Sequence, residues 1–250
     1  MKIYFLSFLF TFIISLSLYS SDFDEMSDED FNKGYEYWSA EDYENAHKYF
    51  SKCAIKNNKY CIYNLAYLYK DGLGVNTDLN KAFELMNVAA DLGYAGAQAV
   101  IGEWYFTGLG DKEINYEKSL IYLFSAAQQG APDAIFRLGN FHEFGLAGIE
   151  ANCKTAARLY QISAENGWMD GVYNLAVMAA SGSCMEAVPQ NYFNAFIAMK
   201  TLGACGDEEA AEHADSIYSL LSKNNKKQIE NIDFQCTYSF GLEWLEFKSE

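Results

Sequence analysis

A helix–loop–helix pattern recurs along the middle of this 250-residue chain at a spacing of 36 or 37 residues. Its clearest copy spans 60–93, where apolar residues at i, i+3, i+4 and i+7 mark one helix face and a second such stripe follows. Gly72 and Gly74 predict the end of the first helix, because glycine adopts the left-handed backbone that terminates helices. Asp78 is placed to cap the second helix and Gly93 to close it. The stretch therefore predicts two helices joined by a short loop.

The same positions return in later copies of the pattern. Core positions are separated by 36, 37 and 37 residues, and the closing glycines lie 37 residues apart. One helix pair leaves an apolar face that only a neighbouring pair can cover, so a repeat of this length predicts stacked helix pairs. The predicted fold class is all-α, a right-handed α-solenoid. The recurring residues are Leu65, Ile101, Leu138 and Leu175 in the core, Gly93, Gly130 and Gly167 at the close, and the small Ala66, Gly102, Gly139 and Ala176, which let helices approach closely.

The copy at 60–93 also carries a specific run of residues. It reads Gly72-x-Gly74-Val75-x-x-Asp78-x-x-Lys81-Ala82, followed by Ala89-Ala90-x-x-Gly93. This run resembles the Sel-1-like repeat (SLR), a relative of the tetratricopeptide repeat. The resemblance implies the solenoid fold, and the family's roles in signalling, envelope assembly and host-cell interaction imply an adaptor. Because the motif consists of packing residues, it specifies the fold more closely than the function.

The first twenty residues predict export. Residues 1–20 contain one lysine, an unbroken apolar run and then small residues, which is typical of a secretory signal peptide. An uncleaved N-terminal anchor is the alternative, although a run of about 16 residues is slightly short for a bilayer. We expect a bacterial protein that is periplasmic or secreted, with no membrane contact after signal cleavage. The other predicted segments are an acidic flexible leader at 21–30, solenoid units at about 31–59, 60–93, 94–130, 131–167 and 168–206, and capping helices over 207–250, with a polar break at 222–227 and a last helix at 228–247.

The charge of the chain restricts its partners. The formal net charge of −16 disfavours nucleic acid and anionic membranes and suits a basic protein or peptide, although acidity also aids solubility. A solenoid offers a concave groove to such a partner, and the protein is expected to be a monomer. The predicted partner-binding residues, all on first helices, are Tyr63, Tyr67, Glu103 and Asn140.

Six cysteines in an exported chain indicate disulfide bonds. Cys53 and Cys61 lie on either side of a predicted helix–helix corner, and this spacing resembles the secreted, cysteine-rich branch of SLR proteins. Cys153 and Cys184 lie in matching loops of adjacent units. Cys205 and Cys236 form the third expected pair, although six cysteines allow fifteen pairings. A metal site is the weaker alternative, because the cysteines and histidines lack metal-ligand spacing.

The sequence shows no catalytic constellation, so neither an enzyme nor a cofactor is expected. His47, His142 and His213 are far apart, and His142 occupies the repeat position of Tyr69 and Tyr105, which favours a packing role. The glycine loops lack the strand and the lysine of phosphate-binding loops. Some cysteine-rich SLR proteins have been linked to β-lactam binding, so a cell-wall or β-lactam hydrolase is the alternative. Neither Ser-x-x-Lys nor Gly-x-Ser-x-Gly occurs in the chain to support it.

Overall fold

The computed structural model describes residues 25–109, 113–230 and 232–236, and every regular element within these ranges is an α-helix. The predicted all-α fold of successive helix pairs is confirmed. None of the helices in the described ranges is long and apolar enough to cross a bilayer. Along the chain they are α1 Glu29–Ser39, α2 Tyr43–Ala54, α3 Lys59–Asp71, α4 Leu79–Asp91, α5 Ala95–Thr107, α6 Tyr116–Gln128, α7 Pro132–Phe144, α8 Cys153–Glu165, α9 Met169–Ser181, α10 Tyr192–Ala204, α11 Glu208–Tyr218 and α12 Lys223–Ile229.

The helix ends have a repeated local chemistry. An Asp or Asn side chain caps the second helix of each pair by accepting a hydrogen bond from the backbone N–H three residues on, as Asp78 does from Lys81 at 2.9 Å. Glycine ends the first helix of the pairs that begin with α3, α5, α7 and α9, and Gly72 has a φ of 68° that other residues rarely adopt. The predicted roles of Asp78 and Gly72 are therefore confirmed. The other caps of this kind are Asp42, Asn115, Asn152 and Asn191, and the other terminating glycines are Gly108, Gly145 and Gly182.

The helices belong to two compact units, one up to residue 114 and one from residue 115 onward. In the first unit, consecutive helices from α1 to α5 pack against one another, and in the second unit consecutive helices from α6 to α11 do so. Each unit has its own buried apolar cluster, centred on residues such as Phe50 and Leu68 in the first and Leu175 and Met199 in the second. Each helix pair therefore buries its apolar face against the next pair within its unit.

The predicted small-residue position is buried in all four repeats that carry it. At Gly139 an added Cβ atom would lie 2.5 Å from the Cε1 atom of Tyr160, so glycine is needed for the close approach of α7 and α8. Ala66 and Ala176 occupy the same repeat position, and the second helices of those repeats carry Met86 and Met199 where α8 carries Tyr160.

The six cysteines form the three predicted disulfide bonds. Cys53 at the end of α2 bonds to Cys61 at the start of α3, with 5.9 Å between their Cα atoms. Two further bonds, each spanning 31 residues, lie in the second unit. They join Cys153 to Cys184 and Cys205 to Cys236.

Both ends of the described chain differ from the sequence predictions. Residues 25–30 belong to the predicted flexible leader, and within them the Asp28 side chain caps α1 and binds Lys56 Nζ at 3.0 Å. The Asn58 side chain also donates to the carbonyl oxygen of Glu25 at 2.6 Å. Near the other end, α12 lies across the predicted polar break, and residues 232–236 are not helical. The predicted signal peptide and the remainder of the predicted last helix fall outside the described residues.

Candidate partner-binding face

Four tyrosines gather beside α3 and the start of α5, and we call Tyr60, Tyr63, Tyr67 and Tyr94 the tyrosine cluster. The first three share one helix face because they are spaced i, i+3 and i+7, and Tyr94 is the N-cap residue of α5. Three pairs of rings meet edge to face with centroids 4.9 Å apart: Tyr60–Tyr94, Tyr63–Tyr94 and Tyr63–Tyr67. The Tyr63 hydroxyl donates to the Tyr67 hydroxyl at 3.3 Å. The result is a continuous, partly buried aromatic surface.

Two members of the tyrosine cluster were not predicted from the sequence. Tyr60 could have been found, because its spacing from Tyr63 and Tyr67 places all three on one face of a predicted helix. Tyr94 belongs to the next repeat. Its ring reaches this face only because that repeat packs beside the repeat that contains α3. Periodicity within one helix cannot reveal such a contact.

Two lysines border the tyrosine cluster. Lys59 Nζ lies 5.5 Å from the centroid of Tyr60, and Lys70 Nζ lies 5.1 Å from that of Tyr67. Such distances allow the negative face of the ring to attract the ammonium group. Burial, assisted by the neighbouring phenols, raises the pKa of Tyr94, so this hydroxyl stays protonated at neutral pH. The cluster is thus an uncharged aromatic surface whose rings attract cations.

Glu103 lies on α5, at the repeat position that Tyr67 occupies on α3. It is partly exposed, and its backbone carbonyl accepts a hydrogen bond from the Thr107 hydroxyl at 3.0 Å. Its carboxylate belongs to the same compact unit as the tyrosine cluster. A role in partner binding stays a prediction for this residue.

Asn140 has a structural role instead of the predicted surface role. It is only 6% exposed, and its Oδ1 atom accepts a hydrogen bond from the Tyr160 hydroxyl at 2.6 Å. Tyr160 is fully buried at a repeat position where the other second helices carry Phe, Met or Leu, so its hydroxyl needs a polar partner inside the core. Glu143 also lies within hydrogen-bonding distance of this hydroxyl. Asn140 therefore satisfies the buried tyrosine and does not face a partner.

His47 and His213 each lie within hydrogen-bonding distance of a tyrosine hydroxyl. His47 Nε2 lies 3.1 Å from the Tyr69 hydroxyl, and burial lowers the pKa of His47. His213 Nδ1 lies 2.9 Å from the Tyr173 hydroxyl, which also donates to Glu209 at 2.8 Å. In the described ranges, no group of three or more His, Cys, Asp or Glu side chains could hold a metal ion. His47 thus contacts Tyr69 alone among these groups, whereas His213, Tyr173 and Glu209 form a group of three.

The repeats match a known family model. A family model of the Sel1 repeat matches residues 59–94, 95–130 and 132–168. This chain contains three Sel1 repeats. The matched residues include the helices from α3 to α8, and α1–α2 and α9–α10 extend the same helix-pair pattern on either side. Sel1-repeat proteins generally mediate protein–protein interaction.

Related proteins agree with this assignment. The chain is 30% identical to a protective antigen of uropathogenic Escherichia coli with an SLR fold, with a TM-score of 0.68 over 80% of this chain and 43% of that one. It is 29% identical over 121 residues to a putative sel1-like repeat-containing protein of Acanthamoeba polyphaga mimivirus, covering 48% of this chain and 21% of the relative. It is 30% identical over 139 residues to chitin synthase regulatory factor 3 of Schizosaccharomyces pombe, covering 54% of this chain and 15% of the relative. The chain thus matches about a fifth or less of the length of these last two proteins.

Proposed function

We propose that this Sel1-repeat protein is an exported adaptor that binds another protein through the first helices of its repeats. The tyrosine cluster is the observation that carries this proposal. Tyrosines are enriched at interaction hot spots, because each offers a large, rigid apolar face together with a hydroxyl that can hydrogen-bond. Four of them with ring centroids 4.9 Å apart form a preorganised anchor for a partner side chain.

The cysteines support export. All six are disulfide-bonded, and such bonds persist in oxidising compartments and are rare in the reducing cytosol. The signal peptide predicted at 1–20 supplies the route. The similarity to a protective antigen of uropathogenic Escherichia coli supports a role at the envelope or in host interaction. The periplasm and the extracellular space are both oxidising compartments in which disulfide bonds persist.

The charge of the protein favours a basic partner. A formal net charge of −16 attracts cationic proteins over long range, and the ring faces of the tyrosine cluster attract ammonium groups at contact. A lysine or arginine of the partner can stack on these rings with Glu103 as its acidic neighbour. We propose that a monomer of the protein binds one basic segment in this way.

A pull-down with the oxidised chain lacking residues 1–20, from bacterial envelope and from host extract, tests the proposal. The double variant Tyr63→Ala/Tyr67→Ala should lose a partner that the unaltered chain retains. Tyr218→Ala is the matched control, because Tyr218 is also a partly exposed tyrosine with a lysine over its ring, Lys226 Nζ at 4.8 Å, but lies on α11. Added salt should weaken capture if the partner is basic. Equal capture by both variants would show that the tyrosine cluster is not the anchor.

A further inference from the structure

A cavity of about 620 Å³ lies beside α6 in the second unit. It is bounded by α6, the second half of α7, the loop that follows α7, and α8. Six of its nine lining residues are aliphatic or aromatic, two carry hydroxyls, and one is a histidine. The lining residues include Ile121, Phe124, Ser125 and His142.

Two residues on the rim of this cavity break the polar pattern of the repeats. Ile121 is 65% exposed and Phe124 is 54% exposed, and both lie on α6. The helices equivalent to α6 in the adjacent repeats carry polar side chains at both positions. Large apolar side chains that are exposed where the adjacent repeats place polar ones indicate a binding surface. The polar equivalents are Glu84 and Asn87 on α4, and Arg158 and Gln161 on α8.

The size of the cavity indicates what it binds. A volume of about 620 Å³ lies within the range of small-molecule sites. An α-helix with its side chains is about 10–12 Å across, so three turns of a partner helix would need roughly twice this volume. Stable dimers bury about 1,200–2,000 Å² in total, which two exposed apolar side chains do not approach. A small ligand therefore fits the site better than a partner helix or a second copy of the chain.

The polar part of the lining indicates the character of the ligand. His142 is the one ionisable side chain among the lining residues, and an imidazole can donate or accept a hydrogen bond. The Ser125 hydroxyl already donates to the backbone carbonyl of Ile121 at 3.0 Å. The strong negative charge of the protein disfavours an anionic ligand. We propose that the cavity binds the hydrocarbon body of a small uncharged amphiphile, with its hydroxyl group at His142.

The fluorescent probe 1-N-phenylnaphthylamine tests the apolar part of this site in the full oxidised chain. The unaltered protein should give a saturable rise in fluorescence, and 1-dodecanol should displace the probe. Ile121→Glu/Phe124→Asn, which installs the residues of α4, should weaken probe binding at least tenfold, while the helical circular dichroism stays unchanged. Leu220→Glu is the control, because Leu220 is 56% exposed but does not line the cavity. Unchanged probe binding in the double variant would overturn the proposal.

The head group and the alternative occupants are tested separately. His142→Phe keeps an aromatic ring but removes the hydrogen bond. It should therefore weaken the binding of 1-dodecanol by about three- to tenfold and leave the binding of the probe unchanged. Tighter binding of dodecanoate than of dodecanol would refute an uncharged ligand. Sedimentation equilibrium should show a monomer. A dimer that the Ile121→Glu/Phe124→Asn variant dissociates would assign the cavity to a second copy of the chain and overturn the proposal.

Discussion

At the scale of single residues, the close contact between Gly139 and Tyr160 predicts the effect of a substitution at Gly139. The repeat pairs Ala66 with Met86 and Ala176 with Met199, whereas here a glycine faces a tyrosine. Gly139→Ala should destabilise the protein by about 1–3 kcal/mol, because overpacking outweighs the gain in helix propensity. Urea denaturation followed by circular dichroism measures this change.

A double-mutant cycle identifies the cause of that loss. Adding Tyr160→Met to Gly139→Ala reproduces the Ala–Met combination of two other repeats, so the two changes should couple favourably by about 1 kcal/mol or more. Strictly additive effects would show that the alanine at position 139 does not clash with the ring of Tyr160.

The Tyr160 hydroxyl gives the protein a dependence on alkaline pH. Burial, and then the hydrogen bond with Glu143, raise the pKa of Tyr160 above its ordinary value. A folded-state pKa above the unfolded value of about 10 means that the stabilisation is fully present below that pH and is lost as pH rises through the folded-state value. The free energy of unfolding should therefore begin to fall as the pH rises above about 10 and should continue to fall at higher pH.

Tyr160→Phe separates this effect from other alkaline titrations. The variant should be less stable at neutral pH by about 1–3 kcal/mol, because Asn140 loses its buried partner. Its unfolding free energy should also fall less steeply above pH 10 than that of the unaltered protein. A parallel pH dependence in both proteins would rule out Tyr160 as the group responsible.

At the scale of helices and loops, the disulfides should differ in strength according to the loop that each closes. Cys53–Cys61 spans 8 residues and Cys153–Cys184 spans 31. The chain-entropy model gives about 2–3 kcal/mol for the short loop and about 3–4 kcal/mol for the long one. Paired Cys→Ala variants compared by urea denaturation should show this order. If removal of the short bridge costs more, then local packing at the α2–α3 corner, and not loop closure, determines its contribution.

The sequence predicted helices where the signal was local and repeated. Glycines, Asp or Asn caps and a period of 37 residues predicted the helix pairs, and the spacing of Tyr63 and Tyr67 predicted half of the tyrosine cluster. Asn140 could not be read correctly, because its partner Tyr160 lies 20 residues away and departs from the repeat. The binding of Asp28 to Lys56 likewise depends on a contact 28 residues distant. Local periodicity carries no information on such contacts.

At the scale of the whole molecule, the disulfides are divided unequally between the two compact units. The first unit contains Cys53–Cys61, and the second contains Cys153–Cys184 and Cys205–Cys236. Reduction should lower the melting temperature by several degrees and leave the helical circular dichroism intact, because helix packing remains and the disulfides mainly restrict the unfolded chain. An unchanged melting temperature after complete reduction would show that the bonds do not stabilise the fold.

Hydrogen exchange can locate this loss of stability, because stability in repeat proteins is approximately a sum of local terms. Amide protection after reduction should fall further in residues 115–230 than in residues 25–109, in proportion to the number of bonds each unit loses. The variant Cys53→Ala/Cys61→Ala, kept oxidised, should reverse this pattern and affect the first unit alone. A uniform fall in both experiments would mean that the two units unfold as one cooperative body, so that each disulfide stabilises the entire chain and not the repeats it joins.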